Sequence, residues 1–418
     1  MAYKHRVSVS ELPTSIQPPV VVDSSIPVII GTSPIGAGDI ENTNRINLYY
    51  DYASAVAGEG FVPAVDGKFD YSISEAIYEA FALKAVAPIM TVNVLDPAKH
   101  SVVITDEPVG LVYGTGTISK AGALKSTVVV TGADLGTDYE LTWTDAGLLQ
   151  INALPSGNLT DSAVVSYSHL DPSKVTEADI IGGIDANTGK NKGLELINEA
   201  YSRFGLVPGQ IIVPGFSGSS AVASVMSAKA RNINTVFKCI TLHDVPTDTV
   251  KKYTDVAGYK NKNNLTEASQ VVLWPKASLG GVQYHASVKW MSTIMQTDAD
   301  NGGTPYVSPS NKSAEMDSAV LDDGSEVSLT IDNTEYLNGQ GVGTFLNFSG
   351  GWKTRGNNTA IYPSSTDPKD RFICVRRMFD WVGNTAIITD WVRLDSSTNF
   401  HLVDLIQDSN TIWLNSLA

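Results

Sequence analysis

The sequence predicts an α/β core with a parallel sheet, an inserted all-β domain, a mixed α+β C-terminal domain and an extended N-terminal arm. Three patterns point to this class. Short apolar runs alternate with segments of helical period on both sides of residues 97–181. Between those positions the helical period disappears. Ahead of the first apolar run, a brief alternation of Val with polar residues is followed by clustered prolines.

Residues 1–25 are the arm and its linker. Arg6, Ser8 and Ser10 alternate with Val7 and Val9, and the segment continues through Glu11 to Leu12. That is the period of a strand. Pro13, Pro18 and Pro19 prevent it from continuing as a helix or central strand. An edge strand of its own domain fits the pattern as well as a strand lent elsewhere. The core is then expected over 26–96 and 182–350. IPVIIG and PIMTVNVLD read as buried strands, with a helix between them through Ile73, Ile77, Ala80, Phe81 and Lys84, capped by Ser72 or Ser74. Residues 97–181 carry STVVVT, YELTWT and AVVSYSHL between turn residues, with ten acids against four bases. This acidic insertion is expected to face solvent. The alternation resumes at GLELINEAYSRFG, a helix stopped by Gly205. QIIVPG, TVFKCITLHD and QVVLWP are strands, separated by helices at SSAVASVMSAKARN and TDTVKKYTDV and followed by one at YHASVKWMSTIMQTDAD. The C-terminal domain, 351–418, is read as a strand at RFICVRR, a helix at MFDWVGNTAIITDWVRLD and a last helical stretch reaching Ala418 with no Gly cap.

Composition narrows the function classes. The chain has 418 residues, 43% hydrophobic and 17% charged, with a formal net charge of −15, which describes folded domains. Such an acidic chain is repelled by nucleic-acid backbones and anionic lipid. No apolar run approaches a membrane span, and the first residues hold no secretory h-region. Cys239 and Cys374 have no metal-like spacing and make no disulfide scaffold, so a reducing compartment of synthesis is expected. The six histidines are scattered, so neither a metal nor a cofactor is expected.

Two stretches invite chemistry. GFSGSS lies between a strand and a helix, as a nucleophile elbow would, but Ser219 stands where that motif needs Gly. A serine hydrolase using Ser217 with His243 and Asp244 is one reading; hydroxyls capping a helix is the other. The second stretch, residues 351–381, gathers six bases (Lys353, Arg355, Lys369, Arg371, Arg376, Arg377) against three acids. Internal pairing with the abundant Asp and Glu competes with contact to an acidic protein surface. A third possibility is ligand recognition, for example of a cell surface, by the acidic insertion.

PSNK (309–312), LNGQGVGTFLNFSGGWKTRGNNTAIYP (337–363) and TDPKDRFICVRRMFDW (366–381) resemble the sheath proteins of contractile phage tails, also found in prophage tails and R-type bacteriocins. IPVIIGTSPIG (26–36) and LINEAYSRFGLVPGQIIVPGFS (196–217) look like that family's core. The resemblance implies a structural subunit, not an enzyme, that needs no cofactor. It implies self-assembly as stacked six-fold rings around a tail tube, with baseplate and tail terminator proteins as further partners. No direct nucleic-acid contact and no membrane insertion are implied. Assembly in the bacterial host cytoplasm into a virion tail or bacteriocin particle is expected, and contraction would drive the tube through the target envelope. Arg6, Val7, Ser8, Val9, Ser10, Glu11 and Leu12 would add a strand to a neighbour's sheet. Lys353, Arg355, Arg376 and Arg377 would contact the tube or an adjacent subunit. The family normally carries a C-terminal arm, and this chain is expected to lack it.

Overall fold

The computed structural model describes residues 19–395 and 400–417. The strand expected at Arg6–Leu12 lies outside the described residues. Eight strands form the central sheet: β1 (Pro27–Gly31), β2 (Ile46–Tyr49), β3 (Ile89–Asn93), β4 (Gln210–Ile212), β5 (Ile240–Asp244), β6 (Gln270–Leu273), β7 (Val342–Asn347) and β8 (Trp352–Arg355). Their order is β8-β7-β6-β5-β4-β1-β3-β2. The six inner strands are parallel, while β2 and β8 close the edges antiparallel. Helices cover both faces, which is why β1 reads as an unbroken apolar run. Val28 and Ile30 pack with Val222 and Met226 on one side. Ile29 packs with Ile77, Trp290 and Ile294 on the other.

The insertion builds two small sheets. Ser101–Gly110, Val129–Val130 and Ser162–Leu170 form one; Thr115–Thr117, Tyr139–Trp143 and Leu149–Ala153 form the second. Val109, Leu141, Ile151, Val165 and Tyr167 bury together as a core of their own. The chain enters and leaves through neighbouring positions, since Ser101 pairs with Leu170. At the root the Tyr71 hydroxyl donates to the Leu170 carbonyl at 3.1 Å, and Lys99 pairs with Asp179. Leu124 reaches from the insertion into the main core.

Several expectations need correction. The boundary drawn at residue 350 falls inside the β7–β8 hairpin, so 352–355 belongs to the central sheet. Past Arg355 the named elements among the described residues are helices, Pro368–Arg371, Ile373–Trp391 and Phe400–Ser416, in place of a mixed α+β unit. RFICVRR is not a strand. Its apolar run is too short for period to decide between strand and helix. Buried Ile373, Arg376, Arg377, Asp380, Trp381 and Asn384 recur at helical spacing, and an Arg376–Asp380 pair spans one turn. The stretch expected as one helix at 193–205 is a 3-10 turn, Gly193–Glu199, leading into a short α-helix, Ala200–Phe204. Gly205 ends it in the left-handed region, at φ 68°.

Candidate functional site

The serine turn does not assemble a nucleophile. The Ser217 hydroxyl accepts from the Asp244 backbone N–H at 2.9 Å. His243 meets the Ser217 carbonyl through Nδ1 at 2.9 Å and the Thr241 hydroxyl through Nε2 at 2.7 Å, so neither ring nitrogen addresses the serine hydroxyl. Burial pushes the His243 pKa down to about 4. The Asp244 carboxylate accepts from the backbone and hydroxyl of Ser287, capping the helix Ala286–Ala299. A cleft of about 410 Å³ opens nearby at the C-terminal ends of β4, β5 and β6, but neither Ser217 nor His243 lines it. The turn is a satisfied strand-to-helix connection. Among the described residues no cluster of His, Cys, Asp and Glu could hold a metal, and both cysteines are unpaired.

The basic block divides in two. Arg377 is buried and pairs with Asp298, their side chains 3% and 1% exposed. It also donates to the Ser24 carbonyl at 3.1 Å. Arg376 donates to Asp380 at 2.8 Å and lies 3.5 Å from Asp370. Burial raises the Asp380 pKa, while Arg376 and then Arg231 oppose that rise. Both arginines are buried and pair with internal carboxylates, so in this conformation they do not lie at the surface, where the sequence reading placed their contact with the tube or a neighbour. The expensive step is stripping water from these charges, and only an internal carboxylate offsets it. Lys353 and Arg355 lie on edge strand β8 and are partly exposed. Arg355 reaches Glu335 only at 3.9 Å, and no ion pair holds Lys353 among the described residues.

What the buried pair organises was not visible in the local sequence. Residues 20–24, just after the proline cluster, run along the helix Ile373–Trp391. The Val20 N–H donates to the Thr389 hydroxyl at 2.9 Å, and the Val22 N–H lies 3.5 Å from the Thr385 hydroxyl. Trp381 Nε1 donates to the Val22 carbonyl at 2.8 Å. At the inner end the Ser24 hydroxyl donates to Asp298 at 2.6 Å, beside Arg377. Two residues of extended chain cover about 6.6 Å and one helical turn of four residues about 6.0 Å, so Val20 and Val22 meet threonines one turn apart. Asn384 ties the same helix to the core by exchanging hydrogen bonds with the Lys238 backbone at 3.0 and 2.8 Å. The second C-terminal helix folds back so that Trp413 packs on Trp381, ring centres 5.4 Å apart. This joint fixes the path of residues 20–24 along the helix.

The chain is 25% identical, over 97% of its length and 85% of its relative's, to the tail sheath protein of Burkholderia phage BcepMu. The chain is thus similar in sequence to a tail sheath protein over nearly its whole length. A putative prophage major tail sheath protein of Pseudomonas aeruginosa (strain UCBPP-PA14) is 27% identical over 49% of this chain and 50% of that protein. No protein-family model matches the chain. Among solved structures, the sheath tail protein of Desulfitobacterium hafniense superposes with a TM-score of 0.54 at 12% identity, covering 99% of this chain and 89% of that one. The contracted helical sheath of the anti-feeding prophage gives 0.54 at 13% identity, covering 100% and 84%. These two likenesses are of fold.

Proposed function

We propose that this chain is a structural subunit of a contractile tail sheath. It polymerises in stacked six-fold rings around a tail tube and contracts to drive that tube through a target envelope, in a phage tail or a derived particle. The observation that carries the reading is the homology running over nearly the whole chain, through the joint residues as well as the core. The joint suits the role. Residues 6–12 add a strand to a neighbouring subunit, and residues 20–24 anchor that arm on the buried face of the helix Ile373–Trp391. Head-to-tail lending of a strand does not close on itself, so it builds a filament. During contraction the subunits reorient as near-rigid bodies while the arms keep them linked. Lys353 and Arg355 remain the candidate contacts to the tube or an adjacent subunit.

The test is electron microscopy of the purified protein, alone and with its cognate tube protein. Hollow helical tubes are expected, and they should be lost when residues 2–16 are deleted. Monodisperse particles under all assembly conditions, with the tube protein present, would overturn the reading.

A further inference from the structure

The basic block holds one guanidinium that the fold positions and does not use. Arg371 ends the short helix Pro368–Arg371 and is half-buried. Its guanidinium carbon sits 4.2 Å from the centre of the Tyr362 ring and 4.8 Å from that of Phe372. Its Nε donates to the Asn358 side-chain oxygen at 3.0 Å. Two ring contacts and one hydrogen bond fix the group in place. The two terminal nitrogens, which carry most of its N–H donors, have no partner among the described residues and are open to solvent.

The acids nearest in sequence are engaged elsewhere. Asp370 lies 3.5 Å from Arg376, and Asp367 accepts from the Lys369 N–H at 3.0 Å. Of the other arginines among the described residues, only Arg45 likewise lacks an ion pair, and no ring or side-chain hydrogen bond holds that one. Arg371 therefore combines a fixed fork with an unanswered charge. The rings strip part of its water, and no internal carboxylate offsets that cost. A carboxylate arriving from outside meets donors already in position, so little side-chain freedom is lost when they pair. Lys369 flanks the site, 47% exposed and only loosely held by Asp367 at 3.8 Å, and adds positive potential.

We propose that Arg371 is an interface anchor, whose terminal nitrogens grip an aspartate or glutamate carboxylate on a second copy of this chain. The identity of the partner rests on the sheath reading. Charge favours it, because each copy carries 44 acids against 29 bases and so has carboxylates in excess. An arginine on one copy that meets an acid elsewhere on the next makes a head-to-tail contact, which propagates. Stacked arginines are among the residues that carry most of an interface's energy.

The first test uses the unaltered full chain. A dicarbonyl reagent that modifies arginine should label Arg371 in dispersed subunits and lose that label in tubes. Equal labelling in the two states would overturn the proposal. Arg371→Lys then identifies the partner, since it supplies an amine that carbodiimide joins to a touching carboxylate. Tubes grown from equal parts of unlabelled and heavy-nitrogen chains of this variant should give mixed-isotope cross-links from position 371. Cross-links that stay within one chain, or that reach only a tube protein, would overturn the assignment to a second copy. Arg371→Gln should raise the concentration needed for tube growth about tenfold or more, while the urea midpoint of the dispersed subunit moves little. A lower midpoint with unchanged tube growth would mark a purely internal role and sink the anchor. Tubes from the unaltered chain that leave Arg371 labelled defeat the anchor alone. No tubes from that chain under any condition defeats the sheath reading, and the partner named here with it.

Discussion

The β insertion meets the core through two adjacent chain crossings, apolar contacts and the Tyr71–Leu170 hydrogen bond, whereas the C-terminal helix adds several buried charged and amide groups to its apolar packing. The insertion has its own apolar centre and lends the main core Leu124. The helix brings Arg376, Arg377, Asp380 and Asn384 into the interior, where Arg376 pairs with Asp380 of the same helix, Arg377 with Asp298 and the Ser24 carbonyl, and Asn384 with the Lys238 backbone. Apolar contact tolerates small shifts, because it is non-directional. A buried ion pair with fixed hydrogen bonds does not, because every misaligned group is left desolvated. The insertion is therefore attached as a replaceable module, and the helix with residues 20–24 is attached in one orientation. The rigid attachment therefore stands at residues 20–24.

The sharpest way to break this contrast is to remove one member of the buried pair. Asp298→Ala leaves Arg377 charged and unpaired and should cost about 3–5 kcal/mol, read as a lower midpoint in urea unfolding. Arg377→Met with Asp298→Met should recover much of that loss, since neither charge is then stranded. If the single and double variants are equally unstable, packing and not charge holds the joint. Excising residues 102–169 and joining Ser101 to Leu170 through a short Gly-Ser linker comes next. Antiparallel partners lie only about 5 Å apart, so the core path is undisturbed. The expected loss is about 1.5–3 kcal/mol, the value of burying Leu124, and the remaining chain should still unfold cooperatively. Collapse of the core would show that the insertion is integral.

A smaller effect is expected at the outer hydrogen bonds. Thr389→Val keeps the shape, removes the acceptor for Val20 and should cost about 0.5–1.5 kcal/mol, with faster proteolytic nicking around residues 19–22. The smallest effect separates the two regions by sign of pH dependence. At the insertion root Asp179 feels burial, but Lys99 and Thr176 outweigh it and lower its pKa to about 2. Its contribution is present above the unfolded value of 3.8 and is lost as pH falls toward 2. Asp380 is raised by burial, so its contribution is present below 3.8 and is lost as pH rises through the folded value. Thermal unfolding of Asp179→Asn and Asp380→Asn against the parent, across the acid range, should therefore give stability differences of opposite slope. Parallel slopes would remove the distinction.

Much of the architecture was legible because it is written locally. The apolar runs at β1, β3, β4, β5 and β6, the stop at Gly205 and the change of texture at residues 97 and 181 all rest on neighbours in sequence. The strand β8 was not legible, because four residues acquire that role only by pairing with β7. Arg376 and Arg377 misled for a related reason. Two adjacent arginines in an acidic protein read as surface, and the carboxylate that buries Arg377 lies 79 residues away. Thr385 and Thr389 carried no signal at all, since their partners are separated by more than 360 residues.

That separation has a consequence for how the protein is made. Residues 20–24 leave the ribosome more than 350 residues ahead of the side chains that hold them, from Arg377 to Thr389, the Ser24–Arg377 separation being 353. Domains fold as they emerge, so the sheet and insertion can form while the root of the arm is still unclamped. Residues 20–24 are held at both ends only when translation has passed Thr389. Chains that end before Thr389 carry residues 20–24 without these partners, so the clamp can form only on a chain that has passed that point.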